Sequence, residues 1–184
     1  MTARRRVPAC QKHDFVIPLP YDLLRMPPIA GLRVVKSSIH GYGVVATRVY
    51  REGDPIADVE GVPLRPDQIE NDDYCLWIND DMYLDMVDQT RWINHSCSPN
   101  AEIEGDQEPD GRVWARVLAC RDIRAGEEIV YDYGFALVHA MPCRCGADNC
   151  RGWIIDPDEL PALRAKLAGA NGTNGVGASN GAPA

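Results

Sequence analysis

The sequence predicts a mainly β protein with short helices, arranged as one domain between two segments of different composition. Three observations lead to this prediction. The central part contains many short runs rich in β-branched and aromatic residues. Gly, Asp, Asn or Pro separate these runs. Only one stretch, near the C-terminus, carries clear helix signals. The 184 residues of the chain suffice for one domain with a sizeable core.

The predicted elements follow one another closely. Residues 1–28, basic at the start and rich in Pro, are expected to form an extended or partly disordered arm. Residues 66–72 are expected to form a short helix. Strands are expected at 32–38, 43–50, 55–61, 74–80, 82–87, 100–105, 113–123 and 127–133. The polar stretches between strands are predicted loops, where functional side chains concentrate.

The clearest helix signals follow residue 155. Asp156 suits an N-cap, Pro157 the first turn and Glu159 the third position. A helix is therefore expected over 157–168, ending at Gly169, although Pro161 weakens its early part. Residues 169–184 consist mostly of Gly, Asn and Ala without apolar periodicity, which predicts a disordered tail.

The charge and the apolar runs restrict the class of function. A net charge of −8 disfavours a nucleic-acid-binding surface and suits a cationic, Lys-rich partner. The longest apolar stretches, such as 43–47 and 136–141, are far shorter than the roughly twenty residues of a membrane span. The basic N-terminus lacks the apolar segment of a secretory signal. Neither a membrane partner nor secretion is expected.

The spacing of three cysteines indicates a metal site. Cys143, Cys145 and Cys150 follow a C-x-C-x4-C pattern, and the chain has seven Cys in all, an odd number that does not suit a disulfide scaffold. Structural zinc takes four ligands at about 2.3 Å from each sulfur. We favour Cys97 as the fourth ligand, because it lies in a polar loop, and keep His139 as the alternative.

The remaining cysteines fit this assignment less well. Cys75 and Cys120 lie in apolar strands and are interpreted as core thiols, whereas Cys10 is a further free candidate. The competing interpretation is three reduced thiols in a surface turn, without metal.

Four stretches together resemble a known family. RWINHSCSPN (91–100), GEEIVYDYG (126–134) and CRCGADNCRGW (143–153) occur in this order, after SSIHGYGVVATRVYREGDPI (37–56). Over roughly 31–155 the chain resembles the SET-domain protein lysine methyltransferases, including their post-SET zinc segment. No Cys-rich pre-SET region is found, so a small stand-alone form is expected.

The resemblance implies a fold of small twisted sheets in which the NHS segment threads beneath a loop formed by the C-terminal part. A SET domain would occupy 29–138 and a post-SET zinc segment 139–156. It also implies S-adenosylmethionine as methyl donor, with cofactor and peptide entering from opposite faces. Zn²⁺ would be structural, held by Cys97, Cys143, Cys145 and Cys150.

The resemblance assigns catalysis to three tyrosines. Tyr133 matches the family's catalytic tyrosine. Tyr131 shares its face, because residues i and i+2 of a strand point the same way, and Tyr at this position implies fewer methyl groups added. Tyr74 matches another channel tyrosine, and Leu76 departs from the usual aromatic residue. Mainly monomethylation with some dimethylation is expected.

The cofactor contacts implied by the resemblance come from three stretches: His40, Gly41, Tyr42, Gly43, Arg91, Asn94, His95 and Trp153. Several alternatives remain. Gly41 and Gly43 suit close backbone approach but also a β-bulge. Arg91 could face the cofactor carboxylate or buttress the loop. Trp153 could stack near the adenine or belong to the core.

The expected function is methyl transfer from S-adenosylmethionine to a lysine of a histone-like or other Lys-rich protein. The first alternative is a catalytically inactive SET-like module that binds a peptide or partner. A second is a structural zinc-binding domain, which leaves the NHS and YDYG stretches unexplained. Reduced thiols suit the cytoplasm or nucleus, and a bacterial protein delivered to a host cell is also compatible.

Overall fold

The computed structural model describes residues 26–70 and 73–172, with side chains up to Gly169 in the last helix. Most of the predicted N-terminal arm, including Cys10, lies outside the described residues. So do positions 71–72 of the predicted short helix and the predicted tail from 173 onward.

Short strands dominate this part of the chain. In chain order they are β1 (Leu32–Lys36), β2 (Tyr42–Ala46), β3 (Pro55–Asp58), β4 (Gly61–Leu64), β5 (Cys75–Asn79), β6 (Met82–Met86), β7 (Asn94–His95), β8 (Ala101–Gln107), β9 (Val113–Ala119), β10 (Glu128–Tyr131), β11 (Met141–Pro142) and β12 (Trp153–Ile154). One α-helix follows, α1 (Leu160–Gly172), and three 3₁₀ turns lie at Pro66–Gln68, Gln89–Trp92 and Leu137–His139. The expected class, mainly β with short helices, is confirmed.

A four-stranded sheet in the order β1-β2-β10-β7 positions the NHS and YDY stretches relative to one another. β2 is antiparallel to both neighbours, while β10 and β7 are parallel. In that parallel pair Val130 lies opposite Asn94 and Tyr131 opposite His95. Residues far apart in the sequence, NHS and YDY, are therefore placed side by side.

Three further sheets complete the fold. β3-β9-β8 and β4-β6-β5 are antiparallel sheets of three strands each. β11 and β12 form a two-stranded ribbon in which Met141 pairs with Ile154 and Pro142 with Trp153. This ribbon closes the loop that carries Cys143, Cys145 and Cys150, so the three thiols are presented at one end of it.

Apolar residues from the three larger sheets meet in one core. β2 is flanked by strands on both sides, and four of its five residues are buried. Val44, Leu76, Val117 and Ile129 are fully buried there. A second, small cluster consists of Ile155, Leu160 and Leu163, so α1 packs on the segment after β12 rather than on the main core.

The eight predicted strands all correspond to strands, with differences at their ends. In the predicted strand at 55–61, β3 covers only Pro55–Asp58. The chain leaves its partner β9 after Val59, and Gly61 already begins β4, which pairs with β6. Pro63 fits β4 because that strand is at a sheet edge. The two-residue strands β7, β11 and β12 were not predicted, since a period of two cannot be detected over two residues.

The predicted helix bounds are wrong at both ends. Residues 157–159 form a turn in which the Asp156 carboxylate accepts a hydrogen bond from the Asp158 N–H (2.9 Å), and α1 begins at Leu160. Pro161 then lies in the first turn, where its missing N–H costs nothing. The helix also continues through Gly169, since glycine in a helix interior costs only about 1 kcal/mol.

The predicted short helix at 66–72 is a 3₁₀ turn over Pro66–Gln68. No helix in the described part of the chain has the length and apolar content needed to cross a membrane.

Candidate active site

A short turn sets the position of the NHS stretch. The buried Asp88 carboxylate accepts a hydrogen bond from the Thr90 backbone N–H (2.8 Å) and caps the 3₁₀ turn over Gln89–Trp92. The turn ends at Ile93, and β7 begins at the next residue. The side chains of Asn94 and His95 are thereby fixed next to β10.

A cleft of about 430 Å³ lies against this turn and strand. Three segments form its walls: the loop before β2, the β7–β10 pair, and the Cys-bearing loop with its ribbon. The lining residues are Ile39, His40, Asn94, His95, Tyr133, Met141, Pro142, Cys143, Arg144, Cys145 and Ile154. Four of the predicted cofactor or catalytic residues, His40, Asn94, His95 and Tyr133, are therefore brought together on one cleft.

The side-chain amide of Asn94 is held from one side by three oxygen atoms. Its nitrogen Nδ2 donates to the carbonyl oxygens of His40 (3.2 Å) and Tyr42 (2.8 Å) and to Glu128 Oε1 (3.0 Å). Asn94 is only 3% exposed. These contacts tie the loop before β2 to the NHS stretch.

His95 links the cleft to the thiol cluster. Its Nδ1 accepts a hydrogen bond from the Tyr133 backbone N–H (3.2 Å) and lies 3.5 Å from Asp132 Oδ1. Its Nε2 lies 3.4 Å from Cys97 Sγ. A neutral ring whose Nδ1 accepts has its proton on Nε2, so His95 faces Cys97 as a hydrogen-bond donor.

Tyr133 lies where the cleft meets a cluster of aromatic rings. Its ring centroid is 4.7 Å from that of Tyr131 and 5.3 Å from that of His95. The Tyr133 hydroxyl donates to the carbonyl oxygen of Ile93 (2.9 Å). Burial raises the pKa of Tyr133 well above its usual value, and the neighbouring Tyr131, Tyr74 and Glu128 raise it further. Burial also raises the pKa of Tyr131. Both phenols are therefore neutral at physiological pH.

Tyr74 extends the aromatic cluster just before β5. Tyr74 is partly buried against the main core, to which Tyr131 and Tyr133 also belong. The Arg91 guanidinium lies over the Tyr74 ring, 3.9 Å from its centroid. Burial raises the pKa of Tyr74, and Arg91 partly offsets this. Arg91 thus buttresses Tyr74 and is not among the residues that line the cleft.

Glycine is required at the two predicted positions for different structural reasons. Gly41 has φ +47°, a left-handed conformation that favours glycine. A Cβ at Gly43 would lie 2.2 Å from Glu128 Oε1 and 3.0 Å from the Ser37 Cβ, so close packing against these side chains requires the missing Cβ. Neither glycine lines the cleft, and Tyr42 contributes its carbonyl oxygen to Asn94.

Trp153 takes the packing role among its two alternatives. It packs against the cluster of Ile155, Leu160 and Leu163, and its neighbour Ile154 lines the cleft instead. Alternation along β12 explains this, because successive side chains point to opposite faces of a strand.

The predicted thiols meet beside the cleft. The ligand atoms of His95, Cys97, Cys143 and Cys145 all lie within 4.8 Å of one another. Cys97 Sγ and Cys143 Sγ are 3.8 Å apart, and two sulfurs bound to one tetrahedral zinc at about 2.3 Å are about 3.8 Å apart. Cys150 lies outside that group of four, yet it is near enough to Cys143 and Cys145 to affect the pKa of both thiols. His139, the predicted alternative ligand, is not part of the group.

The thiol cluster already favours thiolate at one position. Burial alone would raise the pKa of Cys145, but hydrogen bonds from the backbone N–H groups of Cys97 and Ala147 and from Cys143 lower it to about 6. Burial raises the pKa of Cys97 and of Cys143. Thiolates are the ligands that zinc prefers, so the residues fit a structural zinc ion.

An ion pair connects the Cys-bearing loop to the end of β10. Arg151 Nη2 donates to Asp132 Oδ1 (2.8 Å) and to the Ile155 carbonyl oxygen (3.2 Å). Asp132 Oδ1 also accepts from the Gly134 N–H (3.2 Å). The Arg151 and Asp132 side chains are only 15% and 11% exposed. The pair therefore holds the loop over the YDYG stretch in a partly desolvated contact.

Sequence reasoning missed several residues at this site. Glu128 and Arg151 belong to the stretches GEEIVYDYG and CRCGADNCRGW, yet neither the spacing nor the residue type indicated their partners. Ile39, Met141 and Ile154 are ordinary apolar residues whose place on the cleft follows only from the tertiary fold. Asn100 was assigned no chemistry. Its side chain donates to the Glu128 carbonyl oxygen and accepts from the Val130 N–H, so it holds the residue before β8 against β10.

Comparison with known proteins places this geometry in a family. The family model described as SET domain matches residues 41–134. The histone-lysine N-methyltransferase ash1 of Drosophila melanogaster is 37% identical over 114 residues, which is 55% of this chain and 5% of ash1. ASHR3 of Arabidopsis thaliana, another histone-lysine N-methyltransferase, is 31% identical over 138 residues, 67% of this chain and 28% of ASHR3.

Solved structures agree with the family match. KRYPTONITE, crystallised with mCHH DNA, an H3(1–15) peptide and SAH, superposes with a TM-score of 0.57 at 27% identity, covering 67% of this chain and 29% of KRYPTONITE. A second KRYPTONITE structure, with mCHG DNA and SAH, gives a TM-score of 0.59 at 29% identity over 67% of this chain and 28% of that protein.

The chain belongs to the SET domain family. The expected SET fold of small sheets is thereby confirmed. The chain spans only a small part of the length of the relatives to which it is similar.

Proposed function

We propose that this chain transfers a methyl group from S-adenosylmethionine to the side-chain nitrogen of a lysine in a histone or another Lys-rich protein. The observation that carries the proposal is the position of Tyr133. Its ring lines the cleft beside Asn94 and His95, and it also belongs to the cluster with Tyr131 and Tyr74. One residue thus joins a cofactor-sized cleft to an aromatic surface suited to a lysine side chain.

The cleft suits S-adenosylmethionine by its size and lining. Small-molecule sites typically enclose about 300–1,000 Å³ and combine apolar walls with a few polar groups, and this cleft has about 430 Å³. Ile39, Met141 and Ile154 offer apolar surface, while Asn94 and Arg144 offer polar groups. The SAH in both KRYPTONITE structures, together with the similarity to KRYPTONITE, supports the same ligand class here.

The bound cofactor would supply a methyl group on a sulfonium. The neutral lysine amine would bond to this carbon as the carbon–sulfur bond breaks, with S-adenosylhomocysteine as the leaving group, so neither a metal nor covalent catalysis is needed. The protein must therefore align the amine and favour its neutral form. For a lysine of pKa near 10.4, the neutral amine costs about 4.6 kcal/mol at pH 7. Burial among the rings of Tyr74, Tyr131 and Tyr133 would lower this cost by desolvating the ammonium form.

The neutral state of Tyr133 defines what its hydroxyl contributes. Because burial raises the pKa of Tyr133, the phenol is not a base at neutral pH. Its proton is engaged with the Ile93 carbonyl oxygen, which leaves oxygen lone pairs to orient a donor or a positively polarised methyl group. Tyr133 would thus act by hydrogen bonding and electrostatics, with the lysine proton lost to solvent before transfer.

The product is expected to be mainly monomethyl-lysine with some dimethyl-lysine. Tyr131 is buried against Tyr133, so its hydroxyl takes room that further methyl groups on the amine would need. Leu76 is smaller than an aromatic ring and leaves some of that room available.

For the metal, we propose that Cys97, Cys143, Cys145 and Cys150 hold a structural zinc ion. The separation of Cys97 Sγ and Cys143 Sγ suits tetrahedral zinc. His95 faces the cluster with its protonated nitrogen, which cannot ligate a metal, and would instead donate to the Cys97 thiolate. This assignment ties the Cys-bearing loop to the NHS stretch and so closes the cleft.

The net charge of −8 supports a cationic protein as substrate. The named relatives are histone-lysine N-methyltransferases, and one KRYPTONITE structure contains a histone H3 peptide. Histones are therefore the first substrates to test, with other Lys-rich proteins next.

Two measurements separate the proposed enzyme from the alternatives. Calorimetric titration with S-adenosylhomocysteine should show binding, whereas a purely structural zinc module should not bind it. Incubation with methyl-labelled S-adenosylmethionine and a histone mixture or cell extract should then label protein over repeated turnovers. Cofactor binding without any labelling would favour the inactive binding module instead.

A further inference from the structure

Ser37 and Glu128 form a polar contact behind the cofactor cleft. Ser37 Oγ lies 2.8 Å from Glu128 Oε1 and 3.0 Å from Oε2, so its hydroxyl donates to this carboxylate. Ser37 Oγ in turn accepts from the Ile39 backbone N–H (2.9 Å), and Ile39 lines the cleft. Glu128 also accepts from Asn94 Nδ2 at 3.0 Å. The carboxylate is thus anchored on one side and contacts Asn94 on the other.

This contact is one of three that orient the Asn94 amide. Its nitrogen meets three oxygen acceptors, from His40, Tyr42 and Glu128. Rotating the amide by half a turn would place its own oxygen against these three oxygens, which is repulsive. The side-chain oxygen Oδ1 of Asn94 takes part in none of these bonds and has no hydrogen-bond partner within residues 26–70 and 73–172.

Glycine at position 43 makes room for the same carboxylate. A Cβ on Gly43 would come within 2.2 Å of Glu128 Oε1, which is the atom that contacts Asn94. The φ of Gly43 is not in the left-handed region, so space, and not backbone conformation, requires glycine here. Gly43 and Ser37 together confine the carboxylate to the position where it meets the amide.

We propose that Glu128, held by Ser37 and Gly43, is a positioning residue that keeps the Asn94 carbonyl oxygen available to accept a hydrogen bond from the cofactor's amino group. The inference rests on the proposed function, because it takes S-adenosylmethionine as the ligand of the cleft. Glu128 acts through Asn94 and touches neither the methyl group nor the lysine. Its loss removes one of the three acceptors that orient the amide, so the carbonyl oxygen is held less firmly and recognition of the amino-acid part of the cofactor weakens.

The test compares two ligands that differ in this part. S-Adenosylhomocysteine carries the amino group, whereas 5′-methylthioadenosine keeps the adenosine and the thioether but lacks the amino acid. Glu128→Ala should weaken S-adenosylhomocysteine binding about tenfold, the scale of one hydrogen bond to a charged group. Its affinity for 5′-methylthioadenosine should stay at the wild-type value. Calorimetry on the full chain measures both.

A matched control lies one residue away. Glu127 belongs to the same stretch, but its carboxylate contacts Arg121, Asn100 and the Arg124 N–H, away from the cleft. Glu127→Gln should leave both affinities unchanged. Ser37→Ala removes only the anchor of the carboxylate and should give a smaller loss of the same selectivity, which preserves the test if Glu128→Ala folds poorly.

The outcomes separate the inference from the proposed function. Failure of the wild-type chain to bind S-adenosylhomocysteine overturns the proposed function. Wild-type binding with unchanged selectivity in Glu128→Ala and Ser37→Ala overturns the inference alone. Equal weakening of both ligands in these variants also overturns it, since that result shows general damage to the cleft.

Discussion

The hydroxyl of Tyr133 is the single group that we expect to act directly on the reacting atoms. It is buried, its proton is donated to Ile93 O at 2.9 Å, and burial raises its pKa well above the usual value. A group held this rigidly is oriented before any ligand arrives.

Replacing this hydroxyl should separate binding from chemistry. We expect Tyr133→Phe to bind S-adenosylhomocysteine as the wild type does, because the ring that lines the cleft remains. Methyl transfer should fall by about a hundredfold or more, the scale of losing one positioned electrostatic group. Tyr50→Phe is the matched control, since Tyr50 is also fully buried and its hydroxyl has no hydrogen-bond partner among the residues that the structure describes. Labelled-methyl transfer measures both, and wild-type rates in Tyr133→Phe would remove this hydroxyl from the mechanism.

Tyr131 should control how many methyl groups are added. Its ring centroid is 4.7 Å from that of Tyr133, so removing its hydroxyl enlarges the space next to the reacting amine. We expect Tyr131→Phe to keep the first transfer and to raise the fractions of di- and trimethyl-lysine. Mass spectrometry of a peptide substrate gives the distribution. An unchanged distribution, or a wild type that already yields mainly trimethyl-lysine, would show that Tyr131 does not set the product.

At the scale of single residues, the sequence predicts which residues belong to the site better than it predicts the contacts that they make. Asn94, His95 and Tyr133 were predicted because they lie in stretches typical of one family, and the structure places them on one cleft. Their roles in catalysis and binding stay predictions. The Glu128–Asn94 contact was not predicted, since nothing in residues 94 and 128 taken alone specifies a separation of 3.0 Å. Trp153 had two open alternatives, and only the strand pairing of β12 distinguishes them.

The Cys-bearing loop is an element whose order depends on a few contacts. A two-residue ribbon, the thiol cluster and the Arg151–Asp132 pair hold it against the end of β10. Isolated two-stranded ribbons have little stability of their own. The ion pair and the proposed zinc ion would therefore supply most of the free energy that fixes the loop over the cleft.

Zinc content distinguishes two candidate ligand sets. Both contain Cys97, Cys143 and Cys145, and the fourth ligand is either Cys150 or His95. We expect Cys150→Ser to lose the metal, because structural zinc needs four ligands and Cys150 is the proposed fourth. His95→Gln should keep close to one equivalent, since His95 is proposed to donate a hydrogen bond to Cys97 without touching the metal. Metal analysis of the purified variants decides between them. Zinc retained in Cys150→Ser and lost in His95→Gln would make His95 the ligand.

The Arg151–Asp132 pair should contribute more to stability than an exposed pair. Removing Arg151 leaves a largely buried carboxylate without its cation. We expect Arg151→Gln to lower the free energy of unfolding by about 1–3 kcal/mol. The control is Arg116→Gln, whose pair with Asp58 is short at 2.6 Å but has side chains 47% and 74% exposed, so about 0–1 kcal/mol is expected.

Denaturant unfolding of both variants makes this comparison. Equal effects would show that burial of the Arg151 pair adds nothing. The double variant Arg151→Gln with Asp132→Asn should be destabilised by less than the sum of the two single effects, because each single variant already loses the same ion pair.

Among the elements, the longer strands were predictable and the shortest were not. Runs such as residues 113–119 alternate over enough positions for a period of two to be recognised. β7 consists of two residues and exists only because β10 lies beside it. The helix start was misplaced because Pro157 and Pro161 both suit a first turn, and packing of Leu160 and Leu163 on Ile155 selects the second.

Across the whole molecule, the site depends on segments that are distant in the sequence. The loop before β2, β7, β10 and the Cys-bearing loop converge only through the four-stranded sheet and the ribbon. The class and the family followed from composition and from motifs in order, but the convergence required the tertiary structure. The shape of the cleft, and the residues that line it besides the motif residues, could not be read from the sequence.

The acidic character of the chain is also a property of the whole molecule. A net charge of −8 creates a field that attracts a Lys-rich partner and weakens as salt screens it. With the proposed substrate, this field would contribute to the encounter, whereas the cleft and the tyrosines would determine the chemistry.

The decisive measurement identifies the amino acid that receives the methyl group. The purified chain is incubated with methyl-labelled S-adenosylmethionine and histone H3, with Tyr133→Phe in parallel, and the protein product is hydrolysed to amino acids. We expect label in Nε-methyl-lysine, mainly the monomethyl form, with little label from the variant. Label in another amino acid, or equal labelling by the wild type and Tyr133→Phe, would contradict a lysine methyltransferase site built around this tyrosine.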